Sequence, residues 1–421
     1  MGKPKSNLEI DSTSRNRIIS EINTNFFVEA GAGSGKTTML VSRMVAMVEA
    51  GIEIGKICAI TFTKAAAGEF YDRFQKALIE RSNPAYVWKD KGFAGQLPAP
   101  TDETRKRCER ALQNIDLCFM GTIDSFCGMV LSEHPSEAGI PSDSTIASDV
   151  DVETIYKQQY MRICDGECGD ELKDLAQSFR SVNRSAEEVF VKGMALLMAN
   201  RNVHFNYKEV LAFDIDKQFK SQREEVLKAV KSLKEHPEFM YDGNQGSRDA
   251  WAAINAIYSG LKGKWSNDIT GVASVLKTFK EIRLLPEAAD KLGASLSGVF
   301  ELHEGKGKWL DCNIGQEDGL LTKVGELKYN ISMTFLNKCI PIIELAMLEK
   351  GCLTYFDYLY YLRNMLRDDA GKQGKLINYI YERHSYFLID EFQDTNPMQA
   401  EVFFYLTAEK PVAEWRKCAP K

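Results

Sequence analysis

The sequence lacks any paired arrangement of cysteines. Its ten cysteines are spread along the whole chain, and no two stand in the C-x-x-C spacing used by zinc sites and redox motifs. A chain of 421 residues is also large enough to fold without disulfide bonds to supplement its core. We therefore expect reduced thiols and a cytoplasmic protein.

Long apolar runs are missing as well. The N-terminus, MGKPKSNLEI, has no apolar segment of the kind found in signal peptides. No stretch of about 18 consecutive apolar residues occurs anywhere in the chain. The sequence therefore gives no support for secretion or for a membrane-spanning helix.

Neither sign of charge dominates. The chain has 53 Lys and Arg against 59 Asp and Glu, a net charge of −6. This average excludes a surface that attracts polyanions everywhere, but not a local basic groove, because individual side chains make phosphate contacts. With 44% apolar and 27% charged residues, the composition is that of a globular protein, and the length is sufficient for two or three domains.

Four short apolar segments alternate with helical patterns. A glycine-rich turn follows the first segment, and apolar residues recur every three or four positions after the first and second. This alternation predicts an α/β fold with a parallel sheet and helices on both of its faces. The predicted strands are residues 25–29 (NFFVE), 56–62 (KICAITF), 115–123 (IDLCFMGTI) and 386–390 (YFLID).

The third and fourth segments are separated by roughly 260 residues, far more than one crossover connection needs. Much of this stretch has helical periodicity, for example at 216–236 and 331–351. We therefore predict a large, mostly helical inserted domain at 135–345. Residues 1–134 and 346–421 together form the α/β domain.

The turn after the first segment has the composition of a phosphate-binding loop. Glycines let consecutive backbone N–H groups point at a phosphate, and the following helix adds its positive N-terminal end. Lys36 is expected to reach the β- and γ-phosphates of a nucleotide, and the Thr37 hydroxyl to bind Mg²⁺. The predicted nucleotide-binding residues of this candidate phosphate loop are Ala30, Gly31, Ala32, Gly33, Ser34, Gly35, Lys36, Thr37 and Thr38.

Two adjacent carboxylates end the last segment, in LIDEFQDT. Asp390 is expected to hold Mg²⁺ directly or through water, and Glu391 to act as general base toward the attacking water. Gln393 is expected to sense the γ-phosphate or to orient that water. With Lys36, these residues form the predicted catalytic set.

Four motifs occur in the order found in superfamily-one DNA helicases. The chain most resembles the UvrD/RecB/AddA group of helicases and helicase-nucleases. The resemblance implies a RecA-like motor domain with residues 135–345 as its 1B-like insertion, and an ATP-dependent 3′-to-5′ DNA helicase of repair, recombination or defence. The segments that match motifs I, Ia, Ib and II are AGAGSGKTT (30–38), ITFTKAAAGEF (60–70), GTIDSFC (121–127) and LIDEFQDTNPMQ (388–399).

The resemblance also implies where single-stranded DNA binds. In motifs Ia and Ib, hydroxyls would contact phosphates and an aromatic ring would lie against a base. The family usually has His where this chain has Asp124, so either this carboxylate points away from DNA or the contact is weakened. Phe62 is equally well suited to the core. The implied DNA-binding residues are Thr61, Phe62, Thr63, Thr122 and Ser125.

Nothing in the sequence clearly reads the base of the nucleotide. Helicases of this group commonly read adenine with a Gln upstream of the loop, yet this chain has no Gln before Gln75. Arg15 stands at about that place and is expected to stack on the base. The preference for ATP therefore follows from the resemblance alone.

No motif like GDPxQSIY follows DEFQDT, and no nuclease motif is present. In these helicases ATP lies between two motor domains, and the second supplies arginines worth roughly 10³–10⁵ in rate. We therefore expect this chain to bind nucleotide and DNA, at the nucleoid, but not to unwind DNA alone. Motifs III to VI would come from a C-terminal half or from a partner subunit of a split helicase; alternatively, the chain is a regulatory ATP-binding module.

Two short segments, LKGKW (261–265) and GKGKW (305–309), each place two lysines before a tryptophan. This pairing suits phosphate contact with base stacking. It equally suits a solvated turn whose tryptophan covers a helical core, which is the interpretation we favour.

Overall fold

The structure, a computed structural model, describes residues 7–31, 33–87, 89, 96–213, 215–261, 277, 279–297, 299–313 and 320–419. The chain forms two compact units, Met1–Ile146 with Leu353–Lys421, and Ala147–Cys352. The second unit thus begins 12 residues and ends 7 residues later than the predicted borders at 135 and 345.

The elements are numbered here in chain order. The helices are α1 (Asn7–Ser20), α2 (Lys36–Glu49), α3 (Lys64–Ser82), α4 (Asp102–Gln113), α5 (Ile123–Glu133), α6 (Pro135–Ala138), α7 (Asp149–Asp165), α8 (Asp170–Val182), α9 (Ala186–Ala199), α10 (Ile215–Gln218), α11 (Lys220–Glu235), α12 (Gln245–Leu261), α13 (Glu287–Leu296), α14 (Leu320–Glu349), α15 (Tyr355–Ala370), α16 (Lys375–Arg383) and α17 (Pro397–Leu406). The strands are β1 (Ile57–Thr61), β2 (Phe119–Thr122), β3 (Thr145–Ile146), β4 (Arg283–Leu284), β5 (Glu301–Glu304), β6 (Leu310–Asn313), β7 (Cys352–Leu353) and β8 (Tyr386–Ile389).

The first unit is built on a parallel sheet in the order β2–β1–β8. The central strand β1 is buried along its whole length, as expected for a parallel strand covered on both faces. Its residue Ile60 pairs with Gly121 of β2 and with Ile389 of β8. The predicted parallel sheet is therefore confirmed for the second, third and fourth apolar segments.

Helices cover both faces of this sheet, and alternate strand residues serve the two sides. On one face, Ala59 and Leu388 join a core with apolar residues of α2, α3 and α4. On the other, Phe387 of β8 packs with Phe126 of α5 and Phe403 of α17, the ring centroids lying 5.6 and 6.0 Å apart. This arrangement confirms the predicted fold class.

The first apolar segment behaves differently. The sequence predicts a buried strand at 25–29, and this prediction is wrong, because the segment has no regular structure and its Phe27 and Val28 are 80% and 48% exposed. A buried strand needs neighbours to pair with its N–H and C=O groups. None of the strands in the described ranges pairs with this segment, so Phe27 and Val28 remain in solvent while Phe26 packs against α1 and α2.

A single arginine holds the chain that precedes the candidate phosphate loop. Arg43 projects from α2, is only 9% exposed, and lies with its guanidinium 5.1 Å from the centre of the Phe26 ring. The free carbonyls at the C-terminal end of a helix carry partial negative charge, which suits a buried cation. At distances of 2.5–3.3 Å, Arg43 donates hydrogen bonds to the carbonyls of Ile18, Glu21, Ile22 and Thr24, at and just beyond the end of α1.

The second unit is mostly helical, as predicted, and has two cores that share the long helix α14. One core unites α7, α8 and α9 with the later turns of α14, where Phe335 is fully buried. The other unites α11, α12 and α13 with Val324 and Ile331 from the earlier turns of α14. This second core also contains a three-stranded antiparallel sheet, β4–β6–β5, which the sequence did not predict.

By length and composition, α14 is able to cross a membrane over Leu321–Glu349. Half of its most apolar window is buried, and the helix packs against α7, α8 and α9. The core helix of a helical domain has the same composition, so packing accounts for the apolar character of α14.

The GKGKW segment forms the turn between β5 and β6. The Trp309 ring stacks on Tyr241 with 4.8 Å between ring centroids. It also lies against Gly305 and Gly307, where an added Cβ would stand 2.4 Å from the indole. A ring covered in this way favours the structural interpretation of this tryptophan, whereas residues 262–265 of LKGKW lie outside the described residues.

We expect Arg43→Met to lower the free energy of unfolding by about 3 kcal/mol. Several carbonyls lose their hydrogen-bond donor, and each buried carbonyl left unpaired costs roughly 1–3 kcal/mol. Urea denaturation followed by circular dichroism measures this change. The matched control is Arg73→Met, which removes an exposed ion pair to Glu69 on α3 and should cost less than about 0.5 kcal/mol. Equal losses in the two variants would contradict the role assigned to Arg43.

Candidate nucleotide-binding site and DNA-binding edge

The parallel sheet brings three of the predicted motifs to one edge. Thr61, which ends β1, pairs with Thr122, which ends β2. Beyond β8, the backbone N–H of Asp390 donates to the carbonyl of Ile60 over 2.9 Å. Motifs Ia, Ib and II therefore meet at the carboxyl edge of the sheet, where open α/β folds place their ligands.

The candidate phosphate loop owes its shape to two glycines. Gly33 and Gly35 have φ of +74° and +86°, a conformation that side chains rarely adopt. A Cβ added at Gly31 or Gly33 would meet no atom within 4 Å, so the loop also has open space beside it. The hydroxyl oxygen of Ser34 is buried without a hydrogen-bond partner in the described structure. Ala32 lies outside the described residues.

Lys36 joins the loop to the carboxylate pair. It opens α2, and its Nζ lies 3.3 Å from the carbonyl of Ala30 and 3.9 Å from Oε2 of Glu391. Thr37, half-buried, and Thr38, exposed, follow in the first turn of the helix. Residues from opposite ends of the chain thus form one site, and the positive end of α2 faces the loop.

Asp390 and Glu391 differ in environment although they are adjacent. Burial raises the pKa of Asp390, and the negative charge of Glu391 raises it further. The backbone hydrogen bond from Glu391 and the positive charge of Lys36 lower it, but by less. The bond joins the Glu391 N–H to Oδ1 of Asp390 over 3.1 Å. The Gln393 amide in turn donates to the Glu391 carboxylate, so the three predicted polar side chains of motif II lie together.

Glu391 has a backbone conformation that no sequence pattern indicates. Its φ is +53°, and it is the one non-glycine residue in the described ranges with a positive φ. Such a conformation costs roughly 1–2 kcal/mol in a residue with a Cβ. This strain turns the chain sharply after β8 and places the carboxylate beside Lys36.

Arg15 lies against the loop. Its Nη2 donates to the Ser34 carbonyl over 2.9 Å, and its Nε donates to Asp11 of the same helix over 2.9 Å. The sequence missed this contact, because the nearness of α1 to the loop is a tertiary feature. The predicted stacking of Arg15 on a base stays a prediction.

The predicted DNA-binding residues of motif Ia lie at this edge with unequal access. Thr61 is only 2% exposed, and its hydroxyl donates to the Thr63 carbonyl over 3.1 Å. The Thr61 hydroxyl is therefore engaged within the chain, because the last residue of a central strand is covered by its neighbours, and its predicted contact with DNA stays a prediction. Phe62 is half-buried, while the exposed Thr63 caps α3 by accepting the N–H of Ala66.

Motif Ib repeats this capping arrangement one strand away. Thr122 caps α5 by accepting the N–H of Ser125 over 3.2 Å, and the two hydroxyls are 2.9 Å apart. Two helix N-termini, those of α3 and α5, therefore begin at the same edge and favour negative charge there. Asp124 is half-buried, and burial raises the pKa of its carboxyl, because the charged form is unfavourable away from water.

The chain matches the UvrD/REP helicase N-terminal domain family over residues 11–413. It belongs to this family. The match includes both halves of the candidate nucleotide site and the inserted unit of this helicase domain.

Several bacterial proteins are similar to part of this helicase domain. An ATP-dependent helicase/nuclease subunit of Lactobacillus helveticus (strain DPC 4571) is 30% identical over 151 residues, 36% of this chain and 11% of that protein. The same-named protein of Syntrophomonas wolfei is 31% identical over 163 residues, 38% of this chain and 12% of its own. The exonuclease/helicase subunit RexA of Lactococcus lactis is 27% identical over 192 residues, 45% and 14% respectively. The chain spans about a tenth of the length of these relatives.

Replacing Glu391 in this helicase domain by Gly and by Ala separates strain from chemistry. Both variants lose the carboxylate, but glycine adopts a positive φ without penalty, so the Gly variant should exceed the Ala variant by about 1 kcal/mol in free energy of unfolding. Urea denaturation measures the difference. At Glu69 within α3 the order should reverse, because glycine is unfavourable inside a helix. Alanine proving the better residue at both positions would argue against strain at Glu391.

Asp390→Asn should stabilise the helicase domain in a pH-dependent way. Because burial raises the pKa of Asp390 above its ordinary value of about 3.9, the ionised carboxylate costs folding free energy at neutral pH. That cost disappears as pH falls through the raised pKa, so the advantage of Asn should shrink from pH 8 toward pH 4. Unfolding of both proteins at several pH values tests this, and a constant difference across the range would contradict it.

Proposed function

We propose that this chain is the nucleotide-binding motor domain of a DNA helicase, which binds ATP with Mg²⁺ at the loop and carboxylate pair and single-stranded DNA at the edge of β1 and β2. The observation that carries the proposal is the approach of Lys36 to Glu391, 3.9 Å apart although they stand at opposite ends of the chain. A glycine-rich loop with a lysine and a strand-end carboxylate pair are the two halves of an ATP-hydrolysing site.

The residues of the site fit Mg²⁺ and phosphate. Among the described residues there is no cluster of three or more metal-binding side chains. Mg²⁺ in nucleotide sites needs only one or two protein oxygens, since phosphates and waters supply the rest. Thr37 and Asp390 offer those oxygens, and the partnerless hydroxyl of Ser34 together with the open side of the glycine loop suits a phosphate. Bound Mg²⁺ would neutralise charge on the β- and γ-phosphates.

Three side chains of the protein would have separate roles in the hydrolysis of ATP. Lys36 would exchange its contacts with Ala30 and Glu391 for the β- and γ-phosphates, and would stabilise charge that develops there. Glu391, released from Lys36, would accept a proton from the attacking water. Gln393, already bonded to that carboxylate, would orient the water.

Single-stranded DNA would run along the carboxyl edge of β1 and β2. The exposed hydroxyls of Thr63 and Ser125 and the N-termini of α3 and α5 favour phosphates, and Phe62 offers a ring to a base. Thr122 would act through its cap on α5, and Thr61 through the turn that it holds. The contacts at β1 would lie one strand away from motif II and those at β2 two strands away, so nucleotide and DNA would bind along the same edge of one sheet.

The wider role is proposed from the relatives and from the resemblance. The names of the relatives describe helicase/nuclease and exonuclease/helicase subunits, which supports a role of this domain within a larger assembly. The proposal also includes movement from 3′ to 5′ along DNA and a place in the cytoplasm at the nucleoid. Motifs III to VI would come from another segment or from a partner subunit. The helicase would act in DNA repair, recombination or defence.

Lys36→Ala should weaken binding of a fluorescent ATP analogue in the presence of Mg²⁺ by at least tenfold, because a charge-assisted contact to phosphate is worth roughly 1.5–3 kcal/mol. Fluorescence titration measures the dissociation constant. The matched control is Lys56→Ala, which removes a surface lysine paired with Glu53 and should leave nucleotide affinity unchanged.

Binding of a labelled single-stranded oligonucleotide without nucleotide should be the same in wild type and Lys36→Ala, since Lys36 is not among the proposed DNA contacts. Nucleotide binding that is indifferent to Lys36 would remove the proposed site. Tight nucleotide binding with no effect of DNA in any assembly would instead favour a regulatory ATP-binding module.

A further inference from the structure

Helix α1 is attached to the nucleotide site at two points. At and just beyond its C-terminal end, four carbonyls accept hydrogen bonds from Arg43 of α2. One turn earlier, Arg15 donates to the Ser34 carbonyl of the candidate phosphate loop. The loop and α2 are continuous in sequence, so α1 is hydrogen-bonded both to the loop, at Ser34, and to the helix that follows it, at Arg43.

The bond to Ser34 has a consequence for the next N–H group. In a planar trans peptide the C=O and the N–H point in opposite directions. Because Arg15 holds the Ser34 carbonyl on its side, the N–H of Gly35 points to the other side. Gly35, with φ of +86°, stands immediately before the first turn of α2 and belongs to the loop expected to bind phosphate.

The guanidinium is also held in place. Its Nε is bonded to Asp11 one turn earlier on α1, at 2.9 Å. A Cβ added at Gly35 would stand 3.8 Å from Nη1, so the guanidinium lies directly against the loop backbone. With two of its nitrogens bonded in one plane, the guanidinium is oriented toward the peptide and not toward a separate ring.

We propose that Arg15 is a positioning residue of the phosphate loop, which fixes the Ser34–Gly35 peptide so that the Gly35 N–H faces the phosphates, and that it does not read the base. The inference rests on the proposed nucleotide site and defines how that site is shaped. Arg15 then contributes equally to the binding of any ligand that carries the phosphate chain.

The test compares three ligands, each with Mg²⁺: ATP, GTP and inorganic tripolyphosphate, which has no base. In Arg15→Gln, the affinity for all three should fall by the same factor, about tenfold, because one charge-assisted hydrogen bond that orders the loop is lost. Arg15→Lys, which keeps a cation but not the fork, should show a smaller loss that is again equal for the three ligands. Isothermal titration calorimetry measures each dissociation constant.

The matched control is Arg17→Gln on the same helix, which breaks an exposed ion pair to Glu21 and should leave all three affinities unchanged. Equal urea midpoints for Arg15→Gln and Arg17→Gln would exclude a general loss of stability as the cause.

A loss confined to ATP and GTP, with tripolyphosphate unaffected, would overturn the proposal in favour of base stacking. No loss for any ligand would overturn it as well. Failure of the wild-type chain to bind any of the three would instead overturn the proposed nucleotide site, and this inference with it.

Discussion

The site depends on one constraint, the parallel pairing of β1 with both β2 and β8. In a parallel sheet all strands end at the same edge, so the residues that follow them are brought together whatever their distance in sequence. Register then decides the details: Thr61 lies beside Thr122, and Asp390 is tied to the backbone of β1. The inserted unit of more than 200 residues begins after β2 and ends before β8, so it interrupts none of the three strands.

Around this edge several residues adopt conformations or environments that lower the stability of the fold. Glu391 is held in a left-handed conformation, Asp390 is partly withdrawn from water, and the loop relies on glycines with positive φ. Each of these features is unfavourable alone. They are tolerated because the surrounding structure is firm: β1 is buried throughout, and Arg43 closes the end of α1 with four hydrogen bonds. Strain of this kind is typical of sites that must present charged groups to a ligand.

Much of the nucleotide site was predictable because it is encoded in local chemistry. A glycine-rich turn, a lysine opening a helix and two carboxylates after an apolar strand are together typical of a nucleotide site. The buried strand predicted at 25–29 failed for the opposite reason, since a strand is a relation between segments and Phe27 has no neighbouring strand to pair with in the described ranges. The burial of Thr61 could not be predicted either, because the sequence shows that a residue ends a strand but not how completely its neighbours cover it. The antiparallel sheet β4–β6–β5 was missed because its strands have only two to four residues, too few for a periodic signal.

The sequence by itself determined the fold class, the order of the motifs and which groups are proposed to bind phosphate and metal, because periodicity and side-chain chemistry are local properties. Only the tertiary structure decided that Lys36 faces Glu391, that Arg15 is bonded to Ser34 and that Glu391 adopts a positive φ. These contacts join residues far apart in the chain, or impose a conformation that the residue would not choose alone, so no local pattern announces them. Packing of α1 and the sheet supplies the free energy that holds them in place.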